Sequence, residues 1–437
     1  MRSLAGRCGA AISALSRGFW VWLPVQQESS VASHRAKLRG GRSVLLNTKL
    51  PPWPSFTDEE ANAVAEVLLS NRVNYWTGEE CRSFEREFAA WAGTRHAIAL
   101  TNGTVALELA LKAAGLKRGD EVVVTPRTFL ASASSIVSVG GVPMFADVDR
   151  KTQNISAATI APCLNARTRA IMCVHLAGMP CDMDPIMTLA GERGLLVVED
   201  CAQAHGARYK GRSVGSIGHI AAWSFCQDKI VTTGGEGGMV TTDDDELWSR
   251  VWSLKDHGKS FDAIYNRQHP PGFRWQHESF GTNGRMLEMQ AAIGRIQLRR
   301  LANWTPIRQR YAERIWAAAR ALPGLRVPDV PGWAEHAAYR CYVFTDPSQL
   351  SDTWNRNRIS EEIERRGIPC YAGTCPEVYL EKAFDGTGWR PRQRLPTARE
   401  LGETSLAFLV HPTLSEADID RTCEVISDVM RQARRQA

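Results

Sequence analysis

The sequence lacks the features that mark several classes of protein. Its 437 residues contain no uninterrupted run of 18 apolar residues, so no membrane-spanning helix is expected. The 53 basic and 47 acidic residues leave a formal net charge of only +6, which gives no reason to expect a nucleic-acid partner. Hydrophobic residues make up 44% and charged residues 23%, which is typical of a globular protein and excludes a largely disordered chain.

Cysteine pairs are also missing. The 11 cysteines are irregularly spaced, their odd number cannot all pair, and no Cys-X-X-Cys motif occurs. Cys370 and Cys375 come closest to a metal-binding spacing, but no second Cys or His pair follows them. We therefore expect reduced thiols, a cytoplasmic protein and no metal site.

Residues 1–45 differ in composition from the rest of the chain. Arg2, Arg7 and Arg17 all precede the first acidic residue, Glu28. Such an acid-poor start, containing Arg and Ser, resembles an organellar transit peptide. A disordered tail and a start codon placed too far upstream are the alternatives, and with any of the three the segment lies outside the fold.

Strand and helix patterns alternate from residue 50 onward. Apolar strands are predicted at 96–101, 121–124, 142–145, 170–174 and 195–198, with helices at 104–114, 131–139 and 182–192. This order predicts βαβ units and a mostly parallel sheet. In such a sheet, ligand-binding residues follow the carboxyl ends of the strands.

Helical patterns dominate after residue 243. Two helices are predicted at 287–301 and 307–321, and the prolines at 323, 328 and 331 indicate a linker after them. A smaller unit follows, with a strand near 339–344 and helices near 359–366 and 416–431. We therefore divide the chain into an N-terminal extension (1–45), a large domain (50–305) and a small C-terminal α+β domain (306–437).

The first strand end that offers ligand-binding groups is Asn102-Gly103-Thr104. Gly103 permits a tight turn and a close approach of the backbone to a ligand. The helix that follows directs free N–H groups and the positive end of its dipole at the turn, which suits a phosphate, and Thr104 adds a hydroxyl. A helix cap without a ligand is the alternative.

A second strand ends in two acids, Glu199 and Asp200. A carboxylate at this end of a sheet can bind a metal, act as a base or pair with a cationic ring nitrogen, and it can also simply cap a helix. No further metal ligands follow at a suitable spacing. We interpret His205, five residues later, as a packing residue rather than a base.

The third feature is Lys229, in a loop that begins after Ser224 and joins two apolar strands. A lysine becomes a nucleophile when desolvation or a neighbouring cation lowers its pKa. A solvated surface lysine is the alternative, but the four glycines among residues 234–238 indicate a close approach of the backbone to a ligand.

A phosphate-binding turn, a carboxylate and a lysine are the three groups that pyridoxal 5'-phosphate needs. The phosphate needs N–H donors, the ring nitrogen needs an acid that keeps it protonated, and the aldehyde needs a lysine amine. Phe129, which follows another strand, is placed to stack on the ring. We therefore expect pyridoxal 5'-phosphate as the cofactor.

With these and further motifs the chain resembles the DegT/DnrJ/EryC1/StrS family of nucleotide-sugar aminotransferases over residues 50–430. The motifs are Trp76-Thr77-Gly78 with Glu85 and Phe88, Asn102-Gly103-Thr104-Val105-Ala106-Leu107, Gly119-Asp120-Glu121-Val122, Thr128-Phe129, Glu199-Asp200-Cys201-Ala202-Gln203-Ala204-His205-Gly206, Ser224-Phe225, Lys229, Asn283-Gly284-Arg285-Met286 and Gln290-Ala291-Ala292-Ile293-Gly294. The resemblance implies the α/β fold of fold-type-I pyridoxal-phosphate enzymes. That fold has a large domain, with a mixed, mostly parallel seven-stranded sheet between helices, and a smaller C-terminal α+β domain.

The resemblance also implies a role for each matching residue. Lys229 matches the lysine that forms the Schiff base, and Asp200 matches the partner of the ring nitrogen. The other cofactor contacts that it implies are Phe129 on the ring face, Gly103, Thr104 and Ser224 at the phosphate, and Gln203 near the phenolic oxygen.

Two further matches concern the partner subunit and the substrate. Asn283 matches a residue that reaches the phosphate from the partner subunit, and Arg285 matches a position facing the sugar. The resemblance thus implies a homodimer with shared active sites. Its expected reaction moves an amino group from an amino acid, with glutamate as the expected donor, to a keto group of a nucleotide-linked sugar. Surface polysaccharide and amino-sugar biosynthesis are both compatible with that reaction.

Alternative functions stay open. A keto-cyclitol is another possible acceptor, a related sugar dehydratase would carry His in place of Lys229, and a binding protein on an inactive scaffold would lack Lys229 or Asp200. Three departures from the family pattern also stand out: an extra glycine in 232–238, a long segment 259–280, and Gly284 where an aromatic residue is common. The last two lie near the expected substrate site and leave the substrate's identity open.

Overall fold

A computed structural model describes residues 50–435 of the chain. The predicted N-terminal extension, residues 1–45, lies outside the described residues. The helices are α1 Asp58–Leu69, α2 Glu80–Ala92, α3 Gly103–Ala113, α4 Ala131–Ser138, α5 Ala157–Ile160, α6 Met183–Arg193, α7 Asp245–Leu254, α8 Phe261–Tyr265, α9 Glu288–Arg320, α10 Arg356–Arg365, α11 Pro396–Thr404 and α12 Glu416–Ala433. The strands are β1 His96–Leu100, β2 Glu121–Val124, β3 Val142–Phe145, β4 Thr168–Val174, β5 Leu196–Asp200, β6 Arg208–Tyr209, β7 Arg212–Ser213, β8 Ile220–Ser224, β9 Gly238–Thr242, β10 Leu325–Arg326, β11 Ala334–Glu335, β12 Cys341–Thr345 and β13 Ser405–Phe408.

A seven-stranded sheet forms the centre of the fold, in the order β1-β9-β8-β5-β4-β2-β3. Strand β9 runs antiparallel to both of its neighbours, and the other pairs are parallel. The prediction of a mixed, mostly parallel seven-stranded sheet is therefore confirmed. Because six strands run in one direction, their carboxyl ends share one edge of the sheet, where a ligand site is expected.

Helices cover both faces of this sheet. Ile98 and Leu100 of β1 pack in one buried cluster with α3, α4 and α7. Ala97 and Ala99, which alternate with them, pack in another cluster with α2 and α9. Successive side chains of a strand point to opposite faces, so an all-apolar strand such as β1 requires a helical layer on each side.

The long helix α9 corrects the prediction of two helices at 287–301 and 307–321. One continuous 33-residue helix spans both, with Pro306 inside it. Proline removes only one backbone donor, and burial of Leu301, Tyr311 and Ile315 on either side of Pro306 favours continuation of the helix. The predicted boundary at residue 305 falls within α9, and the division into two domains stays a prediction.

A smaller layer follows α9. Strands β10, β12 and β13 form a three-stranded sheet, and buried residues of α9, α10 and α12 pack in one cluster with it. A second small sheet joins β11 to the hairpin β6–β7.

None of the helices within residues 50–435 is both long and apolar enough to cross a membrane. All ten cysteines in this range are unpaired, and six of them are buried.

Candidate active site

The carboxyl ends of β1, β5 and β8 meet at a cavity of about 550 Å³. Seven of the residues singled out in the sequence line it: Gly103, Thr104, Phe129, Asp200, Gln203, Ser224 and Lys229. They come from segments that lie up to 126 residues apart in the chain, and the parallel arrangement of the strands brings them together.

The amino end of α3 forms one wall of the cavity. Asn102 caps this helix by accepting a hydrogen bond of 2.9 Å from the N–H of Val105, while the first N–H groups of the helix have no intrahelical acceptor. A Cβ atom on Gly103 would lie 2.6 Å from Cβ of Ser224, so only glycine fits at this contact. Free donors, the helix dipole and the hydroxyls of Thr104 and Ser224 together make this wall suitable for a phosphate.

Asp200, at the end of β5, is buried. Its Oδ2 accepts a 2.7 Å hydrogen bond from the hydroxyl of Ser132, and its Oδ1 accepts a 3.1 Å bond from the N–H of Ala202. Burial raises the pKa of Asp200 although both bonds and the charge of Lys229 oppose the increase. Among residues 50–435, no cation lies within ion-pair distance of this carboxylate, so a cationic ring nitrogen would supply what it lacks.

Lys229 follows β8 and is surrounded by polar and aromatic groups. Its Nζ lies 3.8 Å from Oδ1 of Asp228 and 5.3 Å from the ring centroid of Tyr339. The Tyr339 hydroxyl donates a hydrogen bond to Asp228, and the indole N–H of Trp53 donates a 2.9 Å bond to the backbone oxygen of Lys229. Burial works to raise the pKa of Asp228, but Lys229, Tyr339 and Arg340 together lower it, so this carboxylate stays charged beside the lysine.

Phe129 and Gln203 also line the cavity. The Phe129 side chain is 67% exposed, an unusual position for a large apolar ring and one that fits a ligand-stacking surface. Gln203 is buried, and its Oε1 accepts a 2.9 Å hydrogen bond from the N–H of Ala177. This bond fixes the orientation of the amide and leaves its NH2 group to donate elsewhere.

Asn283 and Arg285 do not line this cavity. Asn283 is exposed, and Arg285 donates a hydrogen bond to the buried carboxylate of Asp256. The same carboxylate accepts a 2.6 Å bond from the indole N–H of Trp76. The backbone of this loop lies beside the end of β1, where the N–H of Thr101 donates a 2.9 Å hydrogen bond to the oxygen of Gly284. The roles of Asn283 and Arg285 stay predictions.

The surroundings of His205 and Glu199 indicate structural rather than catalytic roles. Burial lowers the pKa of His205 to about 3, and its ring packs against Trp223 and Phe225, as expected for a packing residue.

Glu199, His175 and Cys201 are close enough together to hold a metal ion. The two oxygens of Glu199, however, already accept hydrogen bonds from His175 and from the N–H groups of residues 215, 217 and 218. Glu199 therefore stabilises the loop that leads into β8 by accepting these hydrogen bonds.

The structure adds residues that the sequence reasoning missed. Ser132, Asp228, Tyr339 and Trp53 all contact the predicted residues. Ser132 could have been found, since it lies one helical turn after Thr128 and the two hydroxyls are 2.8 Å apart. Tyr339 gave no such signal, because it lies 111 residues from Asp228 in the chain.

The residues of the cavity fit pyridoxal 5'-phosphate. A helix end with free N–H groups suits the phosphate, a buried carboxylate without a cation suits the ring nitrogen, and Lys229 lines the same cavity. The exposed ring of Phe129 offers a stacking surface, and the free NH2 group of Gln203 offers a donor.

Comparison with known proteins gives a consistent result. The model of the DegT/DnrJ/EryC1/StrS aminotransferase family matches residues 54–427. The chain is 36% identical to the spore coat polysaccharide biosynthesis protein SpsC of Bacillus subtilis, over 87% of this chain and 96% of that one. It is 37% identical to GDP-perosamine synthase of Caulobacter vibrioides, over 86% and 97%. A solved aminotransferase from Psychrobacter cryohalolentis is 58% identical, with a TM-score of 0.87 over 88% of this chain and 99% of that one.

Proposed function

Because the chain belongs to the DegT/DnrJ/EryC1/StrS family of aminotransferases, which depend on pyridoxal 5'-phosphate, we propose that it aminates a keto group on a nucleotide-linked sugar. The amino donor in this proposal is L-glutamate. The observation that carries the proposal is the meeting of Lys229, Asp200 and the amino end of α3 in one cavity.

Each residue has a separate task in this reaction. The cofactor, when bound, supplies an electron sink for the carbon that loses a proton. Lys229 holds the cofactor and, once displaced by the donor amine, takes the proton from that carbon and later returns one. Asp200 holds the proton at the ring nitrogen, and Ser132 fixes the carboxylate that does so.

The two half-reactions use the same cavity. The donor reacts first and leaves as a keto acid, and the sugar then takes its place. Because one lysine serves both steps, the kinetics are expected to be ping-pong.

We further propose that the enzyme works as a homodimer with shared active sites. The support is the exposed side chain of Asn283, which lies outside its own chain's cavity. In the dimer, Asn283 would add a donor to the partner's phosphate wall, and Arg285, held by Asp256, would face the partner's sugar.

The test is a panel of keto-sugar nucleotides incubated with the purified enzyme, the cofactor and L-glutamate. Mass spectrometry should detect an aminated sugar nucleotide together with stoichiometric 2-oxoglutarate. A keto-cyclitol in the same panel tests the other acceptor class. Product from the cyclitol alone, or loss of water without a gain of nitrogen, would contradict the proposal.

A further inference from the structure

Asp228 immediately precedes Lys229 and lies against its amine. Oδ1 of Asp228 is 3.8 Å from Nζ of Lys229, and both residues line the cavity. The N–H of Lys229 donates a 3.0 Å hydrogen bond to the oxygen of Cys226, which closes a tight turn around Asp228. Among residues 50–435, Asp228 is the carboxylate that lies within ion-pair distance of this amine.

Tyr339 fixes the same carboxylate from a distant part of the chain. Its hydroxyl donates a hydrogen bond to Oδ2 of Asp228, so the two carboxylate oxygens have separate partners. The Tyr339 ring is buried, and Nζ of Lys229 lies 5.3 Å from its centroid, within the range of a cation–π contact. The carboxylate and the ring therefore form two sides of a place that suits an ammonium group.

The two charged side chains differ in exposure. The Lys229 side chain is 14% exposed, whereas that of Asp228 is 50% exposed. An ammonium group with so little contact to water depends on a neighbouring carboxylate for part of its stabilisation. Burial works to raise the pKa of Asp228, but Lys229 and Tyr339 lower it, so the carboxylate can provide this charge at neutral pH.

The other acids of the cavity have different partners. Asp200 is held by Ser132, and the proposed reaction assigns it to the ring nitrogen. Oε1 of Glu236 lies 3.7 Å from the Sγ atom of Cys226, which donates to it. Burial raises the pKa of the Cys226 thiol, so this group offers Lys229 no negative charge at neutral pH.

The remaining titratable groups near Lys229 are basic. Burial lowers the pKa of His205 to about 3, and the ring is therefore neutral. The guanidinium of Arg340 lies 4.8 Å from the centroid of the Tyr339 ring and carries a charge of the same sign as an ammonium group. Asp228 is thus the group placed to stabilise a charged Lys229.

We propose that Asp228, held by Tyr339, is a positioning residue that receives the amine of Lys229 whenever this amine is not bonded to the cofactor, and that stabilises its ammonium form. The inference rests on the proposed function, because an aminotransferase releases and rebinds this lysine in each half-reaction. The displaced amine takes a proton from the donor carbon, and the electron pair of that C–H bond goes to the cofactor. Asp228 then stabilises the ammonium group until it gives a proton back.

Chemical labelling of the full chain without cofactor measures this contact independently of turnover. Acetic anhydride reacts with neutral amines and not with ammonium groups, so the initial labelling rate of Lys229 at pH 8 reports its neutral fraction. We expect this rate, read by peptide mass spectrometry, to be roughly 3- to 10-fold higher in Asp228→Asn. The amide retains an oxygen that can accept from the Tyr339 hydroxyl, so the variant removes the charge and keeps the geometry.

Two further variants and a control complete the set. Asp228→Glu restores the charge and should recover part of the wild-type rate, and Tyr339→Phe should raise the rate by a smaller factor than Asp228→Asn. Asp182→Asn is the matched control, because Oδ1 of Asp182 accepts a 2.8 Å hydrogen bond from the Tyr209 hydroxyl outside the cavity. It should label Lys229 at the wild-type rate.

The pH dependence of labelling separates a change of charge from a change of access. The ratio between Asp228→Asn and the wild type should approach one near about pH 11, because the amine is then largely neutral in both proteins. A ratio that does not vary with pH would show altered access to the amine and would overturn the proposal. Equal rates at pH 8, or the same increase in Asp182→Asn, would also overturn it.

Labelling with pyridoxamine 5'-phosphate bound extends the test to the loaded enzyme. This form of the cofactor carries an amine in place of the aldehyde, so it leaves Lys229 free, and the same 3- to 10-fold ratio is expected. Neither measurement uses a sugar. If Lys229 labels faster in Asp228→Asn but no keto-sugar is aminated, the proposed function fails and the role of Asp228 stands. If a keto-sugar is aminated but the labelling rates are equal, the role of Asp228 is rejected.

Discussion

The hydroxyl of Ser132 donates a 2.7 Å hydrogen bond to Oδ2 of Asp200, at the centre of the cavity. Thr128 contacts the same hydroxyl at 2.8 Å, so the carboxylate is tied to the first turns of α4. A buried carboxylate with few donors is costly to ionise. In the proposed reaction, Ser132 therefore influences how firmly Asp200 can hold a proton on the ring nitrogen.

Ser132→Ala removes that donor, and the pKa of Asp200 should rise further. Loss of a hydrogen bond to a charged group costs about 1.5–3 kcal/mol, so we expect kcat to fall roughly tenfold or more. The acidic limb of the pH–rate profile should move to higher pH. Ser138→Ala, an exposed position of the same helix, is the control. An unchanged profile would show that Ser132 does not act through Asp200.

Asp200→Asn tests the carboxylate directly. A neutral amide has the same shape but cannot hold a positive charge at the ring nitrogen, so the cofactor should still bind while turnover falls roughly a hundredfold or more. Spectrophotometric titration of the cofactor and steady-state rates separate the two effects. Asp184→Asn, an exposed partner of Lys210, should change neither quantity. Wild-type turnover in Asp200→Asn would contradict the role proposed for Asp200.

Lys229→Ala should abolish both turnover and the absorbance above 400 nm of lysine-bound cofactor. Lys229 is the lysine that lines the described cavity, so no other amine there can replace it. Lys117→Ala, at an exposed position, should keep the colour and the rate. The yellow colour persisting in Lys229→Ala would place the cofactor on another lysine.

Mixed dimers test whether active sites are shared. Lys229→Ala and the double variant Asn283→Ala with Arg285→Ala should each be inactive as pure proteins. If residues 283 and 285 act in the partner's cavity, a mixed dimer collects both lesions in one site and leaves the other intact.

Subunit exchange between the two inactive proteins should therefore restore a fraction of wild-type activity. If the loop acts within its own chain, each site of the mixed dimer carries a lesion and none recovers. Mass spectrometry under native conditions must first show that mixed dimers have formed. Their continued inactivity would then reject the shared-site proposal.

His205 should make stability depend on pH. Burial lowers its pKa to about 3, compared with 6.5 in the unfolded chain, so below pH 6.5 the unfolded state takes up a proton that the folded state does not. The contribution of neutral His205 to the free energy of unfolding is complete above pH 6.5 and is lost as the pH falls towards 3. At pH 5 the loss from this one residue is about 2 kcal/mol.

His205→Leu removes this titration without leaving a buried polar atom. The decrease in the free energy of unfolding between pH 7.5 and pH 5, measured in urea, should be about 2 kcal/mol smaller than in the wild type. His277→Leu, at an exposed position, should retain the wild-type pH dependence. An identical pH dependence in His205→Leu would show that His205 titrates normally in the folded protein.

Much of the fold and the cofactor cavity followed from local sequence patterns. Strands β2 and β3 match their predicted bounds, because short, mostly apolar segments between turn residues leave little choice of conformation. Gly103, Asp200 and Lys229 were predicted because each follows a strand, and strand ends of a parallel sheet share one edge.

Tertiary packing decided the rest. Pro306 suggested a break between two helices, yet burial of residues on both sides of it keeps α9 continuous. The contacts of Ser132 with Asp200 and of Tyr339 with Lys229 and Arg340 depend on how α4 and the segment before β12 pack against the sheet edge. A local pattern records which residues precede and follow a strand. It does not record which distant side chain lies above it, and that proximity determines the charges and hydrogen bonds around Asp200 and Lys229.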